Sequence, residues 1–134
     1  MNIDNTAKLL NSKDGLHRTL GMEFLSTPEP DTCAARMTAT PANCQPFGFL
    51  NGGATLALAE NLAGAGSVTL CPGKICMGIS VTGHHVKAVP QGQTVTATAR
   101  CAHQGNTLHL WHVEIKNDNG ELISSVDVEN YIVV

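Results

Sequence analysis

Between Arg36 and Lys74 the chain carries a single charged side chain, Glu60, and it lies in the middle of an apolar run from Asn51 to Leu70. Alanine and leucine dominate that run, and Asn51 is a good N-cap. Cys71-Pro-Gly-Lys74 ends it. The spacing therefore predicts a helix from about Gly52 to Leu70. The run is apolar nearly all round, so the helix cannot rest on a surface by one stripe and must be wrapped by other elements. A carboxylate in that setting costs several kcal/mol unless it is paired or used. The Gly52-Gly53 pair gives close access to the first backbone N–H groups of the helix, where a developing negative charge could be held.

The flanks supply the wrapping. Asp4 to Ser12 fits a short polar helix with a thin apolar face. Gly15 and Gly21 interrupt the next stretch. Met22 to Thr27 and Thr32 to Thr40 read as strands; in the second, Cys33, Ala35, Met37 and Ala39 alternate with more polar neighbours. Pro41 stops it, and Asn43 to Leu50 is a loop. After the long helix, Ile75 to Val89 reads as a strand with Gly78 and Gly83 as bends or bulges. Thr94 to Ala102, Thr107 to Lys116 and Glu121 to Val134 are further strands, with turns at Pro90–Gln93, His103–Asn106 and Asn117–Gly120. The expected class is α+β: a curved antiparallel sheet around one central helix, forming a single domain over 1–134.

With 134 residues the chain suits one core. Only 14% of residues are charged and the net charge is −3, with no basic run longer than two residues, so a nucleic-acid surface is not expected. So little charge favours self-association. The N-terminus lacks the basic start and apolar centre of a signal peptide, and glycines with Glu60 and Asn61 spoil the longest apolar stretch as a membrane span. Five cysteines, odd in number and with no Cys-x-x-Cys pair, read as reduced thiols in a cytoplasmic protein. His109 and His112 are three apart on a strand and point to opposite faces, so they are not a metal pair. Neither metal nor cofactor is expected.

Gln45-Pro-Phe-Gly-Phe-Leu-Asn-Gly-Gly-Ala-Thr-Leu-Ala-Leu-Ala-Glu60 resembles the active-site segment of hotdog-fold acyl-CoA thioesterases, of the branch acting on phenylacetyl, hydroxybenzoyl and dihydroxynaphthoyl thioesters. The resemblance runs from about Gly21 to the C-terminus and takes in His84-His-Val-Lys87 and Leu108 to Ile115. It implies hydrolysis of an acyl-CoA, with an aryl or medium-length acyl group, without a cofactor. Glu60 would be nucleophile or general base, and the Gly52 N–H would polarise the carbonyl, with Gln45 and Asn51 beside it. His85, Gly64, Lys87 and Phe47 would contact substrate. Lys87, and more weakly Arg100, are candidates for a phosphate of coenzyme A. The resemblance also implies a tetramer built from two dimers. The chain departs from the family twice: Asn51 stands where a histidine is usual, and Gly64 where serine or threonine is common.

One geometric expectation needs no family. Gly52 and Glu60 are eight residues apart, roughly 12 Å along a helix. Both must lie within roughly 3–3.5 Å of one reacting group. One helix cannot serve one carbonyl with both. Two antiparallel copies can, so a homodimer with shared sites is expected. Plain structural readings stand beside these roles: Glu60 capping another subunit's helix, the glycine pair allowing tight packing, Gln45 bracing its loop, Asn51 as a simple N-cap, and Lys87 and Arg100 as solvated charges. Two other functions compete, a hotdog hydratase or dehydratase and a non-catalytic acyl-CoA-binding protein. The first would want a His–acid pair at the helix start, where Asn51 stands. The second would want loss of the carboxylate or an added DNA-binding segment.

Overall fold

The computed structural model describes residues 1–133. Helices α1 (Asp4–Asn11) and α2 (Leu16–Leu20) lead into strands β1 (Met22–Leu25) and β2 (Thr32–Thr38). Helix α3 (Gly52–Leu70) comes next, then β3 (Ile75–His85), β4 (Thr94–Gln104), β5 (Leu108–Asn117) and β6 (Leu122–Val133). All pairings are antiparallel, in one six-stranded sheet of order β1-β2-β4-β5-β6-β3.

The long helix has the predicted bounds. Asn51 caps it: its side-chain oxygen accepts a hydrogen bond from the Gly53 N–H at 2.7 Å. Leu58, Ala59, Leu62 and Ala63 are fully buried, as an all-round apolar helix requires. The strand reading needs amendment at its ends. A short helix, α2, fills the stretch between Gly15 and Gly21 that had no expected structure; five residues are too few to display a period. The long strand β3 stops at His85 rather than Val89, and β4 runs on to Gln104, which narrows the turn after it to 105–107. The sheet register shifts at Gly78/Ser80, as a bulge there would require, whereas Gly83 stays in register with Val126.

The face of β5, β6 and β3 that meets α3 is built in cross-strand rows. At one end the row is Ile115–Ser124–His85. Next come Val113–Val126–Gly83 and Trp111–Val128–Val81. At the other end lies His109–Asn130–Gly78. Two apolar rows thus separate two polar ones. The helix runs along them: Gly52 lies against His85, and a Cβ placed on Gly66 would sit 2.4 Å from the Trp111 ring, so only glycine lets the indole pack there.

Candidate functional site

The N-terminal end of α3 opens onto a cavity of about 440 Å³, lined among others by Gln45, Gly52, Thr55, His85, Lys87 and Ser124. Gln45 comes from the Pro46-containing loop; its Oε1 accepts the Phe47 N–H at 2.5 Å, which leaves the amide nitrogen of the side chain for other partners. The Gly52 N–H is in the first helical turn and has no intrahelical acceptor. His85, at the end of β3, lies so close to Gly52 that an added Cβ would come within 2.9 Å of its Cδ2 and Nε2. Its Nδ1 is 2.7 Å from the hydroxyl of Ser124, which is fully buried. Lys87 closes one side but is paired with Glu121 at 2.9 Å, and that contact holds the Glu121 carboxyl below its usual range.

Glu60 is elsewhere. It lines a second cavity of about 530 Å³ with Leu9, Gly64, Val68, Met77 and Gly78. The side chain is half-buried rather than sealed among apolar groups, which corrects the expectation from the apolar run: β3 is an edge strand there and leaves the helix face partly uncovered. The carboxylate rests on bare backbone. A Cβ at Gly78 would be 2.6 Å from Glu60 Oε1, so the glycine makes the space that the acid occupies. Cys76 lines the same cavity, but burial pushes its thiol up, away from the reactive thiolate.

The remaining expected residues are scattered. Gly64 lines the Glu60 cavity, and its Cα faces open space. Asn51 lines a third, separate cavity with Leu16 and Asn43, and its side-chain oxygen is committed to the helix cap. Phe47 is 85% exposed at the loop tip and touches neither main cavity. Arg100 is bound by Glu29 and Asp31, both at 2.6 Å, at the far end of β4. Sequence reasoning missed Ser124. Its signal was available: Val126, Val128 and Ile132 set the inward register of β6, and Ser124 falls on it as a polar residue among apolar ones.

A helix N-terminus with converging amides and a carboxylate on the same helix is a fit for acyl transfer, in which an oxyanion must be held and a carbonyl attacked. Comparison with known proteins decides the family: residues 47–124, more than half of the chain, match the model of the thioesterase superfamily. The chain belongs to the thioesterase superfamily. As a member it is a thioester hydrolase. Its similarities extend beyond the matched segment. It is 33% identical to the 1,4-dihydroxy-2-naphthoyl-CoA hydrolase of Listeria monocytogenes, over 81% of this chain and 88% of that one. It is 35% identical to the proofreading thioesterase EntH of Cronobacter turicensis, over 75% and 73% of the two chains. A crystal structure of a thioesterase from Haemophilus influenzae superposes with a TM-score of 0.87 at 28% identity, covering 99% of this chain and 91% of that one. The sheet and its central helix are the hotdog fold of these thioesterases.

Proposed function

We propose that this thioesterase hydrolyses an acyl-CoA, with an aryl or medium-length acyl group, at sites shared between two subunits. Glu60 of one subunit acts on the thioester carbonyl, and Gly52 and Gln45 of the partner subunit hold the carbonyl oxygen. The observation that carries this reading is the separation of Glu60 from Gly52 into two cavities along one helix. Neither cavity alone holds both an attacking group and an oxyanion donor. The edge strand β3 supports the pairing. Among the described residues its outer edge has no neighbour in the sheet, and Ile75, Met77 and Ile79 are all more than half exposed along it. A second β3 added antiparallel at that edge would satisfy its backbone groups and lay the two long helices side by side in opposite directions.

Glu60 serves as nucleophile, giving a mixed anhydride, or as base for a water. Lys87 lines the Gly52 cavity and would meet a coenzyme A phosphate by exchanging its Glu121 partner. The exposed pair Met77 and Tyr131, neighbours across β3 and β6, supports a second interface that joins two dimers into a tetramer. The five free cysteines support a reducing, cytoplasmic setting.

The test is thiol release from a panel of acyl-CoAs, with the oligomeric state read in parallel. Glu60→Gln should lower kcat by at least about a thousandfold while the fold and the oligomer persist. Full activity in that variant, or activity from a strictly monomeric protein, would refute the reading. Mixing Glu60→Gln subunits with a subunit defective at Gln45 should restore up to about a quarter of the sites of the mixture, as shared sites require.

A further inference from the structure

Ser124 has no role in the proposed hydrolysis, yet it is fully buried beside the cavity of Gly52. Among the described residues its hydroxyl has one hydrogen-bond partner, the Nδ1 of His85, at 2.7 Å. A buried hydroxyl must place its proton on an acceptor or bear the full cost of leaving it unpaired. Nδ1 is the acceptor in reach. The hydroxyl therefore donates and Nδ1 accepts, which leaves the proton of the neutral ring on Nε2. The reverse arrangement would bury an O–H with nothing to receive it.

The Nε2 edge of the ring is the edge that lies against Gly52. In this tautomer it is a donor, and it stands beside Gly52, the first residue of the helix. We propose that Ser124 is a positioning residue: by fixing His85 as the Nε2–H tautomer it makes His85 a further donor to the carbonyl oxygen, alongside Gly52 and Gln45. The inference rests on the reading that this cavity holds the thioester carbonyl. It also specifies what His85 does not do, since a protonated Nε2 cannot serve as the base for water. Asn51 is not an alternative to His85, because Asn51 lines another cavity. Three donors of different origin, a backbone N–H, a side-chain amide and a ring N–H, then converge on one oxygen, and the serine behind the ring decides that the ring is one of them.

The experiment uses full-length protein labelled with ¹⁵N in histidine, at a pH where the ring is neutral, with the His85 signals identified by their loss in His85→Gln. Long-range proton–nitrogen spectra should give a bare Nδ1 and a protonated Nε2 for His85. In Ser124→Ala the two tautomers should mix, and kcat should fall about ten- to a hundredfold with KM changed less than about threefold. Ser124→Thr, which keeps the hydroxyl, should restore both the spectrum and the rate. A protonated Nδ1 in the wild type would overturn the proposal. So would a Ser124→Ala enzyme whose kcat stays within about twofold of wild type. If Ser124→Ala does not fold, the wild-type spectrum decides alone. Failure of the underlying reading looks different: the wild type would release no thiol from any acyl-CoA, whatever the tautomer of His85.

Discussion

Two histidines on the same face of the sheet are each bonded through Nδ1 to a buried serine, and only one of them borders an open cavity. His85 pairs with Ser124 at 2.7 Å near the N-terminal end of α3. His109 pairs with Ser67 at 2.8 Å near its C-terminal end. The second pair is sealed. His109, Ser67 and Asn130 are at most 1% exposed, and the Ser67 hydroxyl is saturated. It accepts from Trp111 Nε1 at 2.9 Å and from Asn130 Nδ2 at 3.0 Å, and its own proton goes to His109 Nδ1. The His109 Nε2–H is left to face the Cys71 sulfur at 3.7 Å. The same two residue types thus make a sealed polar knot at one end and one wall of a cavity at the other. What separates them is how many neighbours depend on the serine and whether the far ring nitrogen meets protein or cavity.

The sharpest way to break this contrast is to remove each hydroxyl. Ser67→Ala strands three buried groups at once: the indole N–H, the Asn130 amide and His109 Nδ1. Each unsatisfied group costs roughly 1–3 kcal/mol, so a loss of about 3 kcal/mol or more is expected, read from the urea midpoint at unchanged slope. Ser124→Ala strands one ring nitrogen on a histidine that solvent can reach, and should cost under about 1 kcal/mol. Equal losses from the two substitutions would end the distinction between a structural pair and a functional one.

A second test moves the acid that lies between the two pairs. Gly78→Ala would bring a methyl group to 2.6 Å from Glu60 Oε1, so the carboxylate must shift. Misplacing a reacting group by about 1 Å costs up to about a hundredfold in rate. The expected result is a fall in kcat of about ten- to a hundredfold with stability changed by less than about 1 kcal/mol. A rate within twofold of wild type would mean that the position of Glu60 on Gly78 has no bearing on turnover.

The sealed pair also predicts a pH dependence. Burial lowers the pKa of His109 below the ordinary histidine value of 6.5. The unfolded chain therefore takes up this proton before the folded one does. The stabilisation is fully present above about pH 6.5 and is lost as pH falls from there toward the lower folded value, at up to about 1.4 kcal/mol per pH unit. His109→Gln should flatten that part of the stability profile relative to wild type. An unchanged slope would show that the ring titrates as freely in the fold as in the unfolded chain.

Much of this architecture is legible in the sequence, and the gaps have physical causes. The Asn51-capped apolar run and the Asn117–Gly120 turn declare themselves locally, and Gly120 does take a positive φ of 78°. The strand order does not. β3 crosses from the helix to the far edge beside β6, a choice set by long-range packing that no local pattern encodes. Glu60, Gly52, Gln45 and His85 stand out in a contiguous motif or shortly after it. The division of Glu60 and Gly52 between two cavities is a consequence of helical rise alone. Ser124, Asn130 and His109 are harder to see, because a polar residue in a strand looks like a solvent-facing one until the inward register is counted.

Asn51→Ser gives the smallest expected effect and the closest question. Serine caps a helix about as well as asparagine, so stability should change by less than about 0.5 kcal/mol. What serine lacks is the amide N–H₂ of asparagine. If the carbonyl oxygen is held by Gly52, Gln45 and His85, losing that amide should leave kcat within about threefold of wild type. A fall of tenfold or more, with the helix intact by circular dichroism, would move the donor assigned to His85 from the strand to the residue before the helix. It would also make the Ser124–His85 pair as purely structural as the sealed pair at the other end.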